Sequence, residues 1–231
     1  MNNNFEYYYN NVPGKGLCRN NLVYTSLISK DKKTFCKWFY NDKTYHKNQN
    51  EIVDQELMEE KWRREVRFLS KMFKQYPEHV LEILDIDYKN KKIYLKIENV
   101  DFWELSNCSK DNYSKALKDW DSQMLEIIQA HKSLGIYKYS MHPSSYFIVN
   151  KKLKSINYFF AYDKAEKFIS IKDVESHIYS ARQDKLKKYV EAQGISWDKP
   201  QSFDILNILC WNSFKDNYDQ KFIKKVLECL K

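Results

Sequence analysis

Residues 84–98 decide the predicted fold class: Leu84-Asp85-Ile86-Asp87-Tyr88 and Ile93-Tyr94-Leu95-Lys96-Ile97-Glu98 flank the turn Lys89-Asn90-Lys91-Lys92. In the second run, Ile93, Leu95 and Ile97 alternate with Tyr94, Lys96 and Glu98, and a period of two is typical of a strand with one buried face. The lysine-rich turn between the two runs predicts a β-hairpin. Residues 84–98 therefore predict an antiparallel sheet.

A second hairpin and a long helix are predicted upstream. Leu22 to Ser29 and Thr34 to Tyr40 are apolar, β-branched and aromatic runs that the charged turn Lys30 to Lys33 separates. A helix is predicted after Asn50, because large apolar residues recur there every three or four positions until Pro77 ends the pattern. These residues are Met58, Trp62, Val66, Leu69 and Met72. Residues 1–20 are predicted to form a loop or a peripheral arm.

Downstream of residue 98 the pattern favours helices. An apolar stripe predicts a helix from Asn112 to Leu134, and Gly135 is suited to end it. A third hairpin is predicted from Tyr146 to Val149 and from Ile156 to Phe160, around a turn at Asn150 to Lys152. Further helices are predicted over residues 171–193, 203–214 and 218–230.

The composition is that of a folded, heavily charged chain. Of the 231 residues, 43% are hydrophobic and 16% are aromatic, which is enough to build a core. The net charge of +8 allows contact with nucleic acid, acidic proteins or anionic surfaces. The lysines concentrate in predicted turns, however, where solvated loops are the favoured explanation. The excess of lysine and asparagine also fits an AT-rich coding sequence.

The sequence predicts a cytoplasmic protein that uses neither a membrane nor a metal. No run reaches the roughly 18 to 20 apolar residues that a membrane helix needs, and Met1 to Phe5 lack the basic start and apolar core of a secretion signal. The cysteines are scattered, with no Cys-x-x-Cys pair and no histidine at zinc-ligand spacing: Cys18, Cys36, Cys108, Cys210 and Cys229. An odd number without a disulfide framework fits a reducing compartment.

Three local motifs resemble those of the protein kinase superfamily. Thr34-Phe35-Cys36-Lys37 resembles the third-strand motif that ends in the ATP-binding lysine. Arg64-Glu65-Val66-Arg67-Phe68-Leu69 resembles the regulatory helix, where Glu65 would pair with Lys37. Gly135-Ile136-Tyr137-Lys138-Tyr139-Ser140-Met141-His142-Pro143-Ser144-Ser145-Tyr146-Phe147-Ile148-Val149 resembles the catalytic loop, in the variant with His-Pro after the catalytic aspartate. The resemblance covers about residues 22–160.

The resemblance implies an α+β, two-lobed protein kinase-like fold. Residues 1–98 would form a strand-rich N-lobe, with the arm 1–20 and one long helix. Residues 99–231 would form a reduced, mainly helical C-lobe, interrupted by a short hairpin at 146–160. The chain thus resembles a degenerate, pseudokinase-like member of the superfamily.

The departures from the family pattern fall on the residues that phosphoryl transfer requires. That reaction needs an aspartate to orient the attacking hydroxyl, and an aspartate and an asparagine to hold magnesium. On the alignment that the resemblance implies, Ser140 replaces the catalytic aspartate, Ser145 the asparagine, and Asn157 the metal-binding aspartate. The first hairpin also contains no glycine, and Gly14-Lys15-Gly16 lies several positions too early for a phosphate-binding loop. The resemblance therefore implies no catalytic residue, no metal and no cofactor, with ATP bound without conventional magnesium as the weaker alternative.

The remaining site candidates have supporting roles. Lys37 and Glu65 are either remnants of a nucleotide site or ordinary surface charges. His142 is interpreted as support for its own loop, and Asp204, before an apolar helix, as a brace of that loop from below. Tyrosines and phenylalanines crowd the same region, where they either fill space or form a surface for a partner.

The leading hypothesis is a catalytically inactive kinase-like protein that binds a partner protein as a scaffold or regulatory module. The first alternative is an atypical phosphotransferase that holds nucleotide through Lys37. The second is a basic nucleic-acid-binding protein, whose affinity would fall steeply with salt.

Overall fold

The computed structural model describes residues 4–7, 24–39, 55–98, 100–102, 117–138, 145–159, 161–163, 187–188, 191–192, 194, 196–199 and 220–230. The strands are β1 (Phe5–Tyr7), β2 (Thr25–Ser29), β3 (Thr34–Trp38), β4 (Ile83–Asp87), β5 (Lys92–Lys96), β6 (Val100–Phe102), β7 (Ile136–Lys138), β8 (Tyr146–Val149), β9 (Lys152–Ser155) and β10 (Ala161–Asp163). The helices are α1 (Gln55–Gln75), a short 3-10 helix (Pro77–His79), α2 (Trp120–Ser133) and α3 (Gln220–Leu230).

The largest sheet has five antiparallel strands in the order β1-β2-β3-β5-β4. It contains both hairpins predicted before residue 98: β2 pairs with β3, and β4 pairs with β5. The alternation from Ile93 to Ile97 is confirmed, because Ile93, Leu95 and Ile97 are buried while Tyr94 and Lys96 are half-buried. A three-stranded sheet, β6-β8-β9, and the pair β10-β7 complete the strands of the described residues.

Helix α1 lies on the inner face of the five-stranded sheet, as its apolar spacing predicted. Trp62, Leu69 and Met72 are all buried, and the Trp62 ring packs edge-on against Phe39, just after β3, with the ring centroids 5.5 Å apart. The helix ends two residues before Pro77, whose ring removes a backbone donor and cannot continue the helix. The same face of α1 carries Glu65 into the core.

The predicted helix ending at Leu134 is confirmed over its second half. Helix α2 begins at Trp120 rather than near Asn112, and it ends before Gly135, whose φ of 64° is the left-handed conformation that glycine adopts freely. Helix α3 matches the predicted last helix. The predicted helix at 203–214 and most of the one at 171–193 lie outside the described residues.

The third hairpin forms, but its second strand was predicted in the wrong place. Tyr146–Val149 pairs with Lys152–Ser155, not with residues 156–160. The turn is only two residues long, because Asn150 and Lys151 both adopt positive φ, at 51° and 57°, and reverse the chain at once. The alternation of this strand was missed because Lys152 was interpreted as part of a solvated turn. In the structure, Leu153 and Ser155 point inward.

Replacing Lys151 by Gly is expected to raise the free energy of unfolding by about 1 kcal/mol. A left-handed backbone costs a residue with a Cβ about 1–2 kcal/mol, and glycine avoids that cost while losing more backbone entropy. Urea denaturation measures the difference. Lys152→Gly is the matched control: it lies next door in extended strand, where glycine lowers stability, and a gain there of equal size would contradict the explanation.

The expectation of a two-lobed protein kinase-like fold with a mainly helical C-lobe is wrong. The described residues form a mixed α+β structure of small antiparallel sheets. After residue 99 they contain five strands beside the helices α2 and α3, with helical residues also at 187–188 and 191–192. Buried residues from both sides of residue 98 belong to one core cluster; the ring of Phe35 in β3, for example, packs edge-on against that of Phe147 in β8, at 5.3 Å. The order of elements in the sequence resembled two lobes, but that order does not specify which buried faces meet.

Candidate functional site

A closed cluster of polar side chains lies between the five-stranded sheet, helix α1 and the segment that follows β9. Lys37 comes from the inner face of β3, and Glu65 from the middle of α1. Asn157 lies two residues after β9, and Ser145 immediately before β8. All four are buried, with at most 1% of each residue exposed. The structure therefore brings together four of the residues that the sequence singled out.

Lys37 donates all of its ammonium hydrogens to protein atoms. Its Nζ lies 2.5 Å from Oε1 of Glu65, 2.5 Å from the carbonyl oxygen of Ile156 and 3.0 Å from Oδ1 of Asn157. A lysine ammonium has three donors and no acceptor. The ring of Tyr24 covers the ammonium at 4.4 Å from its centroid. Because Lys37 is 0% exposed, a phosphate group could reach it only after these contacts had broken.

The side chains of Glu65 and Asn157 are also hydrogen-bonded within the cluster. One carboxylate oxygen of Glu65 accepts from Lys37, and the other accepts the backbone N–H of Tyr158 at 2.6 Å. Oδ1 of Asn157 accepts from Lys37 and from the Tyr24 hydroxyl at 2.8 Å, which uses both of its lone pairs. Its Nδ2 donates to Oγ of Ser145 at 3.4 Å. The Asn157 oxygen therefore has no lone pair left for a metal ion.

The electrostatics of the Lys37–Glu65 pair follow from its burial. Burial lowers the pKa of Lys37 to about 8, because the charged form loses its hydration, and the nearby Glu65 carboxylate opposes that shift. The ion pair thus retains the charge on a lysine that the core would otherwise neutralise. Its geometry links the sheet, the helix and the backbone of residues 156–158.

A second buried group of ionisable residues adjoins this cluster. Lys138, at the end of β7, is 2% exposed, and His131 of α2 is 4% exposed. Nε2 of His131 lies 3.0 Å from the Tyr158 hydroxyl, and burial holds the pKa of His131 well below its usual value. Burial raises the pKa of Tyr146 and that of Tyr158 above the normal range of a phenol. The neutral forms of the histidine and of both phenols are therefore the ones that this region favours.

Three of the sequence-predicted site residues cannot be placed in this cluster. Ser140, His142 and Asp204 all lie outside the described residues. The roles inferred for them, as the substituted catalytic position and as loop supports, stay predictions.

Sequence reasoning missed Lys138 and Tyr24. The signal for Lys138 was its position two residues after Ile136, since alternate residues of a strand share a face and Ile136 is buried. Lys138 was considered only as part of the segment that resembles the catalytic loop, and no strand was predicted there. Tyr24 gave no such signal, since it precedes β2 and reaches Asn157 only through the tertiary fold.

In the part of the chain that the structure describes, no group of three or more His, Cys, Asp or Glu side chains could hold a metal ion. None of the helices described is both long enough and apolar enough to cross a membrane. The thiols of Cys36 and Cys229 are free, and burial raises the pKa of Cys36 to about 12, which keeps that thiol protonated and unreactive.

The arrangement defines a mixed α+β protein with a buried, internally paired polar cluster. Such a cluster orders the surrounding elements, and the ammonium of Lys37 has no hydrogen left with which to hold a phosphate. Comparison with known proteins finds no matching family model and no matching curated protein.

Proposed function

We propose that this chain is a catalytically inactive binding protein that serves a partner protein as a scaffold or regulatory module. The kinship with protein kinases stays a prediction that rests on the local motifs alone, and the proposal does not require a two-lobed fold. The proposed setting is the cytoplasm, in keeping with the scattered cysteines.

One observation carries the proposal: the groups that would handle a nucleotide are occupied by one another. The three hydrogens of Lys37, both carboxylate oxygens of Glu65 and the carbonyl oxygen of Asn157 are all used within the protein. Magnesium-dependent transfer requires oxygen ligands that are free to bind the metal and a cation that is free to bind phosphate. Opening the cluster would leave buried charges unpaired, at a cost of several kcal/mol.

Millimolar ATP or GTP, with or without magnesium, is therefore expected to leave the thermal unfolding temperature of this protein unchanged. A ligand at 100 times its dissociation constant would stabilise the folded state by about 2.7 kcal/mol, which a thermal-shift measurement detects easily. Transfer of labelled phosphate from ATP is expected to be absent in the same samples.

The control for this measurement separates binding at Lys37 from binding elsewhere. A nucleotide-induced shift that is lost in Lys37→Met but kept in Lys33→Met, an exposed lysine of the β2–β3 turn, would favour the alternative of a nucleotide-binding phosphotransferase. Phosphate transfer with the same dependence on Lys37 would overturn the proposal.

Nucleic-acid binding remains the other alternative, and it rests on the net charge of +8. Two of the lysine-rich turns, 30–33 and 89–92, lie at opposite ends of the five-stranded sheet, because Thr34 pairs with Lys96 and Trp38 with Lys92. They do not form one continuous basic surface, so a protein partner is the preferred proposal. Binding to nucleic acid that weakens steeply with salt would reverse that preference.

A further inference from the structure

Strand β4 forms one edge of the five-stranded sheet, because β5 is the only strand that pairs with it among the described residues. This edge carries Leu84, which is 48% exposed, and Tyr88, which follows the strand and is 63% exposed. They are the large apolar residues that the described part of the chain leaves exposed. The register shifts between Ile83 and Asp85, so Leu84 has no partner residue on β5. Exposed apolar side chains and an open strand edge therefore occur at the same place.

The backbone groups on the open side of β4 follow from the hydrogen bonds of β5. The N–H of Ile97, just after β5, donates to the carbonyl of Lys33, just before β3, so the odd-numbered residues of this strand face β3. The even-numbered Tyr94 therefore faces β4, where its partner is Asp85. The N–H and C=O of Ile86, the next residue of β4, point away from β5. They are placed to pair with a sixth strand.

The outer face of this edge, opposite α1, is acidic. Burial raises the pKa of Tyr94, and the carboxylates of Asp87 and Asp85 add to that shift, which places both carboxylates beside this half-buried ring on the outer face. Asp87 accepts hydrogen bonds from Asn90 in the following turn. Asp85 is exposed and has no ion-pair partner among the described residues. A cation from outside can therefore pair with Asp85 at the edge.

A second copy of this chain does not fit the edge. If two β4 strands paired in antiparallel fashion about Ile86, Asp85 of each copy would lie opposite Asp87 of the other. Shifting the register by two residues brings Asp85 opposite Asp85, or Asp87 opposite Asp87. Like charges directly opposite each other destabilise a strand pair. The carboxylates therefore oppose self-association and favour a strand that carries positive charge.

We propose that β4 is the docking edge for an extended segment of a partner protein, which alternates apolar and basic residues and adds to the sheet as an antiparallel sixth strand. The inference rests on the proposed function, in which the chain binds a partner protein. Main-chain hydrogen bonds supply the affinity in this mode of binding, and alternate side chains supply the specificity.

The alternation follows from the two faces of β4. A residue opposite Ile86 lies on the inner face, because Ile86 packs against the core. There it is close to Tyr88, whose ring lies edge-on to that of Trp62 in α1, with the centroids 6.2 Å apart. An apolar residue suits this position. The residues before and after it lie opposite Asp85 and Asp87 on the outer face, where lysine or arginine is favoured.

A short fluorescein-labelled peptide of alternating lysine and valine is the probe. Fluorescence anisotropy at low salt is expected to show saturable binding to wild type. Asp85→Lys turns an attractive cross-strand pair into a repulsive one and is expected to weaken binding about tenfold. Glu126→Lys, at an exposed position of α2, changes the net charge equally and is expected to leave binding unchanged. A peptide with the same lysines and valines in two separate blocks is expected to bind about tenfold more weakly than the alternating one.

Methylation of the peptide backbone tests the strand pairing with wild-type protein alone. The valines lie opposite Ile86 and its alternate neighbours, so their backbone N–H groups donate to β4, and methylating those nitrogens is expected to abolish binding. The backbone nitrogens of the lysines face away, and methylating them is expected to leave binding intact. Amide hydrogen exchange at Ile86 is expected to slow when the unmethylated peptide is bound.

Four results would overturn the docking edge: no binding of the alternating peptide, equal binding of the two methylated peptides, equal effects of Asp85→Lys and Glu126→Lys, or a dimer of the free protein that Leu84→Lys abolishes. The last result would assign the edge to a second copy of the chain. These outcomes leave the proposed lack of catalysis untouched, because that proposal fails on phosphate transfer that depends on Lys37.

Discussion

Replacing Glu65 by Gln lowers the free energy of unfolding by about 3–5 kcal/mol, because it leaves the Lys37 ammonium buried without a counter-charge. The amide is nearly the same size as the carboxylate, so the side chain still fits. The charge is lost, and one acceptor oxygen becomes an NH2 donor that faces either the Lys37 ammonium or the Tyr158 N–H. The Tyr158 backbone N–H, which donates to Oε2 of Glu65 at 2.6 Å, also loses its charged acceptor, and a neutral oxygen accepts more weakly than a carboxylate. Urea denaturation at pH 7 measures the loss.

The control is Glu126→Gln, at an exposed position of α2, which is expected to change stability by less than about 0.5 kcal/mol. The double variant Lys37→Met with Glu65→Leu removes both charges, and it is expected to recover a large part of the stability that Glu65→Gln loses, since apolar residues of similar volume often replace a buried pair at little cost. A double variant less stable than Glu65→Gln would contradict the explanation that the unpaired Lys37 charge causes the loss.

Replacing Phe147 by Ala is expected to cost about 3–5 kcal/mol, the usual range for removing a buried aromatic ring. Phe147 is 0% exposed in β8, and its ring contacts that of Phe35 in β3. Because this contact joins the five-stranded sheet to the strands after residue 99, the variant tests the single core directly. Unfolding followed by tryptophan fluorescence and by far-ultraviolet circular dichroism is expected to give one coincident transition, shifted to lower urea in Phe147→Ala.

Tyr88→Ala is the matched control, because that residue is 63% exposed and its ring lies edge-on to that of Trp62, with the centroids 6.2 Å apart. Its expected cost is below about 1 kcal/mol. Two separate transitions in wild type, with Phe147→Ala shifting only one of them, would mean that the two parts of the chain unfold as independent units.

The sequence predicted the local elements well wherever a periodic pattern was long enough. The alternation from Ile93 to Ile97 and the helical spacing from Met58 to Met72 both matched the observed strand and helix. The short elements were harder: β9 was missed because its lysines resembled a turn, and β6, β7 and β10 have only three residues each. A strand of three residues contains too few alternations to be recognised from its pattern.

The sequence also predicted only part of the candidate site. Lys37 and Glu65 were interpreted either as a pair like a known one or as surface charges, and they do form a buried pair. The sequence did not indicate that Lys37 would donate all three of its hydrogens within the protein. The saturation of Lys37 depends on the carbonyl of Ile156, 119 residues away along the chain. Every residue has a backbone carbonyl, so the sequence does not indicate which carbonyl will accept a hydrogen bond from a distant side chain.

By itself, the sequence determined that this protein is an α+β chain of antiparallel hairpins and amphipathic helices, with no carboxylates at Ser145 and Asn157. Periodicity and residue type are properties of neighbours along the chain, so they can be read without knowing the fold. Only the tertiary structure decided that the hairpins share one core, and that Lys37, Glu65 and Asn157 close on one another while Lys138 joins them. Those outcomes depend on which buried faces meet, and the free energy of a buried charge is set by the atoms that surround it rather than by its neighbours in sequence.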